Sequence, residues 1–427
     1  EGLGLSHERL RRLDSFVQAI VREGDAPMAA LAVLHHGKVA HLSMAGHRDE
    51  ARKLPVTEDT IYRMFSMTKP VVSVALLMLY EEGRFLSFDE PVAKYIPCFK
   101  DMSVYVSGES PETLTTRPAR SKITIKQLLT HTSGLGYGFV QDVPVVSKMY
   151  QRGVDFGPVF GGAEEQFQPY SLEEAVQRLA KLPLLCEPGT EWHYSHSTDV
   201  VGYLVEVLSG RPLADFLHER IFAPLGMVDT GFVVPKEKAG RLAALYAVGP
   251  AADSGGKYFV VDDPSRSMFL RPLSRGLASG GGGLVSTMPD WIRWTAFLLR
   301  KGTTADGVCL LSPKTFDYAA LNHLPGGADL EVVGAKATNH QNVVYKKGQG
   351  WSLLGLAVLQ EPAKYDAVSS AGELAWGSLA SGYLWLDHAE DLAVVFKTQL
   401  TPSAAYPWRR QLHGLVYQAL LAPAGSG

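Results

Sequence analysis

The chain has 427 residues, 46% of them hydrophobic and 20% charged, with a formal net charge of -3. That is the make-up of an ordinary soluble globular protein, long enough for one two-lobed unit or two to three small domains. A slightly acidic balance gives no footing for nucleic acid or an anionic membrane as partner, and the longest apolar stretch, Val71 to Tyr80, falls well short of the roughly 20 residues a bilayer demands.

From the amino end, Leu10, Leu13, Phe16, Val17, Ile20 and Val21 recur at helical spacing over 6–23, and Gly24 ends the pattern. Apolar runs over 28–35 and 39–44 flank His36-Gly37-Lys38 and predict a hairpin. A helix apolar on every face starts near Ser66 and stops at Gly83. From about 89 to 272 the chain is expected to be mostly helical. Thr124 opens a short helix ending at His131, Ser171-Leu172-Glu173-Glu174 reads as a capping box opening a helix to Lys181, and another helix covers 197–208 before Gly210. Beyond the glycines at 280–283 come helices near 290–300 and 313–321, strand-like runs at 351–359, 373–377, 382–385 and 392–398, and a last helix over 408–421. Strands near both termini around a helical middle predict one sheet built by both ends of the chain. The expected class is α/β (α+β): an antiparallel sheet flanked by helices from 1–65 and 273–427, with 66–272 as a mostly helical lobe of the same unit. No internal repeat or low-complexity linker divides it.

Cys98, Cys186 and Cys309 are odd in number and widely spaced, so neither a disulfide framework nor a metal-ligand spacing is expected, and each reads as a small buried hydrophobe. No cofactor is expected either. No secretory leader pattern is visible, and a cytoplasmic setting is the expectation.

Ser66-Met67-Thr68-Lys69 is the most informative stretch. It sets a hydroxyl and an amine three residues apart on one helical face. Such an amine can take the serine's proton once burial or neighbouring charge disfavours the ammonium, as the positive end of the helix dipole also does. Acyl transfer further needs a second proton carrier, donors for an oxyanion and a cleft. Tyr194 stands where the turn from Glu187 runs into the helix at Ser197, and 373–377 reads as a strand whose N–H groups can face a carbonyl oxygen. Tyr137 and Tyr150, in the irregular stretch after Gly134, are candidate cleft walls. The four glycines fit neither the Walker nor the dinucleotide spacing and suggest close backbone approach at the cleft floor. Gly-x-Ser-x-Gly and His-Glu-x-x-His are both missing from the sequence, and His131, at the end of its short helix, is read as a structural hydrogen bonder.

Ser66-Met67-Thr68-Lys69, Tyr194-Ser195-His196 and Trp376-Gly377-Ser378 resemble the three ordered motifs of the serine β-lactamase and penicillin-binding-protein superfamily. The version here is most similar to the family VIII carboxylesterases, which share the class C β-lactamase fold. Leu128 to Leu135, Glu187-Pro188-Gly189-Thr190, Leu225-Gly226-Met227 with Asp229-Thr230-Gly231-Phe232, and Ser279 to Leu284 resemble further family landmarks in the same order. The resemblance implies Ser66 as the acylated nucleophile, Lys69 and Tyr194 as a shared proton relay, and the N–H groups of Ser66 and Leu379 as the oxyanion hole. It implies Trp376, Gly377, Ser378, His196 and Tyr137 as substrate-binding positions and a small-molecule ester as partner. Three departures bear on substrate. His196 replaces an asparagine, Trp376 replaces the lysine that pairs a β-lactam carboxylate, and Ser378 replaces a second glycine, where it is expected to narrow the acyl pocket. The first two favour neutral esters. Acyl transfer to an alcohol or amine, β-lactam or D-peptide hydrolysis, and a catalytically silent binding protein on the same fold are the alternatives.

Overall fold

The computed structural model describes residues 3–140, 142–154, 171–249, 257–272, 277–334, 347–365, 367–403 and 405–421. Ser6 caps helix α1 (His7–Arg22), its hydroxyl accepting from the Arg9 N–H, and Gly24 follows in the left-handed region. The hairpin of β1 (Met28–His35) and β2 (Lys38–Asp49) closes through His36 and Gly37, both at positive φ, the geometry that matches strand twist in a two-residue turn. A short β3 (Leu54–Pro55) follows. From the other end of the chain come β4 (Gln349–Trp351), β5 (Ala357–Leu359), β6 (Leu374–Gly377), β7 (Tyr383–Asp387) and β8 (Leu392–Lys397). The eight form one antiparallel sheet in the order β4-β5-β6-β7-β8-β1-β2-β3.

β1 is buried along its whole length because both sheet faces are covered. Ala29, Leu31 and Val33 pack toward α1 and the last helix α8 (Trp408–Tyr417). Met28, Ala30, Ala32 and Leu34 join a larger core with α2 (Thr68–Glu81) and α7 (Met288–Leu299). Between α2 and α7 the chain runs through α3 (Ile125–Leu129), α4 (Pro144–Gly153), α5 (Leu172–Leu179) and α6 (Ser197–Ser209). Every residue of α2 from Thr68 to Leu79 is buried, and no side chain caps its start. Packing rather than propensity therefore fixes this helix, which makes it a rigid support.

Three local readings are corrected. The apolar run 351–359 is not one strand. It folds back as β4 and β5, with Ser352 N–H and Oγ both donating to Leu356 O and Gly355 at φ 69°. The helical middle also contains two small sheets: Ser103–Ser107 pairs with Thr115–Pro118, and Leu245–Val248 lies between Tyr258–Asp262 and Leu400–Thr401. Cys98 and Cys309 are exposed, and Cys186 alone of the three is buried. No helix among the described residues is long and apolar enough to cross a membrane.

Candidate active site

Ser66 lies in a single 3-10 turn, Phe65–Met67, that feeds directly into α2. Phe65 holds a φ of 45°, a left-handed conformation that costs a non-glycine residue about 1 kcal/mol or more. Neighbours on both sides keep it there. Met64 N–H donates to Leu284 O, Leu284 N–H donates to Thr68 Oγ1, and Gly282 lies against the Phe65 backbone. Ser66 is the one partly exposed residue in a buried run. Among the described residues its hydroxyl has no hydrogen-bond partner, which leaves it available to a substrate.

Lys69, in the first turn of α2, is 1% exposed. Its Nζ donates to Gly281 O at 2.7 Å and to Tyr137 Oη at 3.2 Å, and stands 4.4 Å from the centroid of the Tyr194 ring. Among the described residues no carboxylate pairs it. Tyr194 Oη in turn accepts from the indole N–H of Trp376 at 3.3 Å. The Trp376 ring meets Trp351 edge-on at 4.5 Å, and Trp351 Nε1–H is tied to Leu129 O.

The glycines at 280–283 hold the lysine's acceptor in place. A Cβ on Gly280 would stand 2.5 Å from Thr198 O, and one on Gly281 would stand 2.8 Å from Tyr137 Oη and 3.0 Å from Asp199 Oδ2. The Asp199 carboxylate clamps this loop, accepting from Ser279 Oγ at 2.6 Å and Gly281 N–H at 2.9 Å through Oδ1. His196 Nδ1 sits 2.9 Å from Oδ2. Burial works to raise the Asp199 carboxyl, but His196, Ser279 and the Gly281 N–H outweigh it and hold the group below the usual carboxylate value. His131 packs 4.9 Å from the Tyr194 ring and bonds Ser195 Oγ at 3.1 Å. Burial, reinforced by Lys69, holds its imidazole well below the ordinary histidine value, so it stays neutral.

Several sequence expectations need correction. His196 does not line an open cleft. It is 1% exposed, bonded to Asp199 and packed edge-on against Tyr137, because it immediately precedes α6 and is drawn to that helix's first-turn aspartate. Tyr150 is fully buried in the helical core, its hydroxyl donating to Pro183 O. Gly377 turns its missing side chain away from Trp376, as strand alternation requires. A Cβ there would collide with the Arg409 guanidinium, so Gly377 offers a ligand only backbone. The Ser378 hydroxyl accepts from Ala380 N–H while its N–H donates to Gly382 O. These bonds stabilise the turn after β6. Leu379 lies in that turn, packed against Phe65 and Ala380. Neither its N–H nor that of Ser66 donates to another described residue.

Sequence reasoning assigned no role to Asp199 and took Tyr137 only as a wall. A signal was present in the i, i+3 spacing of His196 and Asp199 at a helix start; none marked Tyr137 as a partner of Lys69. Directly behind the Ser66 turn, the ammonium of buried Lys397 meets the sulfurs of Met64 at 3.1 Å and Met67 at 3.4 Å, and lies 4.4 Å over the Trp291 ring.

Residues 13–415 match the family model described as Beta-lactamase. Esterase EstB of Burkholderia gladioli is 30% identical over 398 residues, covering 91% of this chain and 89% of that protein. Monacolin J acid methylbutanoyltransferase of Aspergillus terreus is 31% identical over 275 residues, covering 63% of this chain and 59% of that one. Among solved structures, EstCE1, described as a hydrolase with promiscuous acyltransferase activity, superposes with a TM-score of 0.74 at 24% identity over 96% of this chain and 98% of its own. At that identity the likeness speaks for the fold.

Proposed function

This chain belongs to the Beta-lactamase family, and from that premise we propose that it is a serine carboxylesterase acting on small to medium neutral esters through an acyl-enzyme at Ser66. The coarser statement, a serine hydrolase or acyl-transferring enzyme of this superfamily, is shown by the family match together with the esterase relative. The observation that carries the finer reading is the setting of Lys69: buried, without a carboxylate among the described residues, bonded to Gly281 O and Tyr137 Oη and lying over Tyr194.

In this reading the cleft lies between the lobe of 1–65 and 273–427 and the helical lobe of 66–272. Ser66 Oγ attacks the ester carbonyl carbon and its proton passes to the Lys69–Tyr194 pair. The carbonyl oxygen becomes an oxyanion facing the N–H groups of Ser66 and Leu379, which have no other acceptor among the described residues. Collapse breaks the bond to the alcohol, which leaves with the proton held by the pair. Water then repeats the sequence on the acyl-enzyme: the pair takes a proton from water and returns one to Ser66 Oγ. Trp376 orients Tyr194 through its indole N–H and offers its ring to the apolar part of the ester.

Acyl transfer is the second reading, favoured by the methylbutanoyltransferase relative, and differs only in which hydroxyl enters in the second half. A fluorophosphonate probe tests the nucleophile: one adduct is expected, at Ser66, and an unlabelled protein would end both readings. A series of short to long acyl esters, run with and without added alcohols, separates hydrolysis from transfer by product.

A further inference from the structure

Between Asp142 and Tyr194 the fold gathers a second group of reactive side chains that the ester chemistry does not use. Cys186, Glu191 and His193 each present one potential ligand atom, and the three atoms all lie within 4.8 Å of one another. Cys186 and His193 are buried, and Glu191 is partly exposed. His193 Nε2 lies 3.2 Å from Glu191 Oε2. Two ligand atoms held about 2.0–2.1 Å from a tetrahedral zinc stand about 3.3 Å apart, so an ion can replace this hydrogen bond with little change in the edge.

His193 Nδ1 is bonded to Asp142 Oδ2 at 2.7 Å. Without an ion, Nδ1–H donates to that carboxylate and Nε2–H to Glu191 Oε2, so an incoming ion takes the place of the Nε2 proton. A carboxylate behind a ligating histidine is the usual support of a zinc site. The segment is also pinned before any ion arrives: Leu185 N–H donates to Gly134 O, Gly189 N–H to Thr132 O and His193 N–H to His131 O.

We propose that Cys186, Glu191 and His193 form a binding site for a dication of the zinc class, with Asp142 orienting the histidine. A thiolate and a carboxylate neutralise the ion's two charges, and the thiolate excludes hard ions such as magnesium and calcium, which prefer an all-oxygen set. Binding releases the Cys186 proton and the His193 Nε2 proton to solvent. Because Tyr194 follows His193 directly, the ion also tethers the segment that carries the phenol. Nothing in the spacing Cys-x4-Glu-x-His announces the site, and it stands independently of the ester reading.

The test is equilibrium dialysis of the full chain, stripped with a chelator, against zinc alone, with bound metal and melting temperature measured. One zinc per chain and a raised melting temperature are expected. Cys186→Ser and Glu191→Gln should each weaken binding by about tenfold or more, and Asp142→Asn by about tenfold, with folding checked by circular dichroism. Cobalt should give a thiolate charge-transfer band that disappears in Cys186→Ser. The surface thiols supply the control: Cys98→Ser with Cys309→Ser should leave binding unchanged. Folded wild type that retains no zinc, undiminished binding by both Cys186→Ser and Glu191→Gln, or loss of zinc in the surface-thiol variant would each overturn the site.

Discussion

The ammonium of Lys69 lies over the face of the Tyr194 ring, 4.4 Å from its centroid, while the phenol oxygen of that tyrosine is engaged by Trp376. A ring-face contact is electrostatic and carries no proton. The amine's hydrogen bonds go to Gly281 O and Tyr137 Oη. In the proposed relay a proton therefore travels between Lys69 and Tyr194 through an atom placed between them, the Ser66 hydroxyl or an oxygen of the bound ester.

Ser66→Ala is expected to lower kcat/KM for a nitrophenyl ester by at least about a thousandfold, or roughly 4 kcal/mol. The melting temperature should not move, since the hydroxyl has no partner among the described residues. Retention of most activity would remove Ser66 from the mechanism.

Lys69→Ala and Tyr194→Phe should each cost on the order of a hundredfold or more. The double variant should lose little beyond the worse single one, because groups that act as a unit are not additive. Steady-state kinetics of the three variants decide this, and fully additive losses would mean that the two do not share a proton.

Asp199→Asn tests the clamp on Gly281. The amide oxygen can still accept from Ser279 and Gly281, but the neutral group no longer pairs His196, so stability should fall by about 3 kcal/mol. If the clamp also positions the acceptor of Lys69, kcat should drop about tenfold or more with KM little changed. A stability loss with kcat intact would make Asp199 purely structural.

A short-chain nitrophenyl ester should exceed nitrocefin in kcat/KM by at least about a thousandfold. The drug's carboxylate must shed water without a lysine at position 376 to receive it, a cost of several kcal/mol. Comparable values would turn attention to Arg409, whose guanidinium lies behind Gly377, bonded to Ser403. Loss of nitrocefin turnover in Arg409→Met would then identify it.

Lys397→Met probes the cation buried behind the nucleophile. Burial holds this lysine well below its ordinary value. The unfolded chain keeps the proton up to about pH 10.4, whereas the folded chain releases it earlier, so between those two points stability rises with pH. The methionine variant, of similar volume, should be more stable than wild type at about pH 7. Its advantage should shrink by up to about 1.4 kcal/mol per pH unit toward pH 10. Denaturant titrations at several pH values check the slope, and a constant difference would mean that Lys397 stays charged in the folded protein.

What the sequence made legible was local. Ser6, Thr124 and Ser171 cap their helices, and Gly24 and Gly210 follow helix ends at positive φ, because capping chemistry is written within a few residues. Ser66, Lys69, Tyr194 and Trp376 stand out as candidates for the same reason: each lies in a short pattern with a chemical meaning. Tyr137 as a partner of Lys69 could not, since that bond depends on how a loop is carried past α2. The orientations of His196 and Ser378 were also hidden, as each was decided by a neighbour competing for its polar atoms. The run 351–359 misled because its apolar residues continue through a turn that Ser352 and Gly355 create.

The middle of the large sheet is sewn by β1 and β8, where Ala30 faces Lys397. On a ribosome adding about 5–20 residues per second, the amino-terminal hairpin waits some 20–75 seconds for that partner. Through that interval the strand 28–35, apolar on both faces, presents an open edge of the kind that recruits other strands. Expression yield, more than equilibrium stability, is thus the property most exposed to changes in β1. A charge introduced at Ala32 would blunt that edge while it waits, and would exact its cost only once β8 arrives and the position is fully buried.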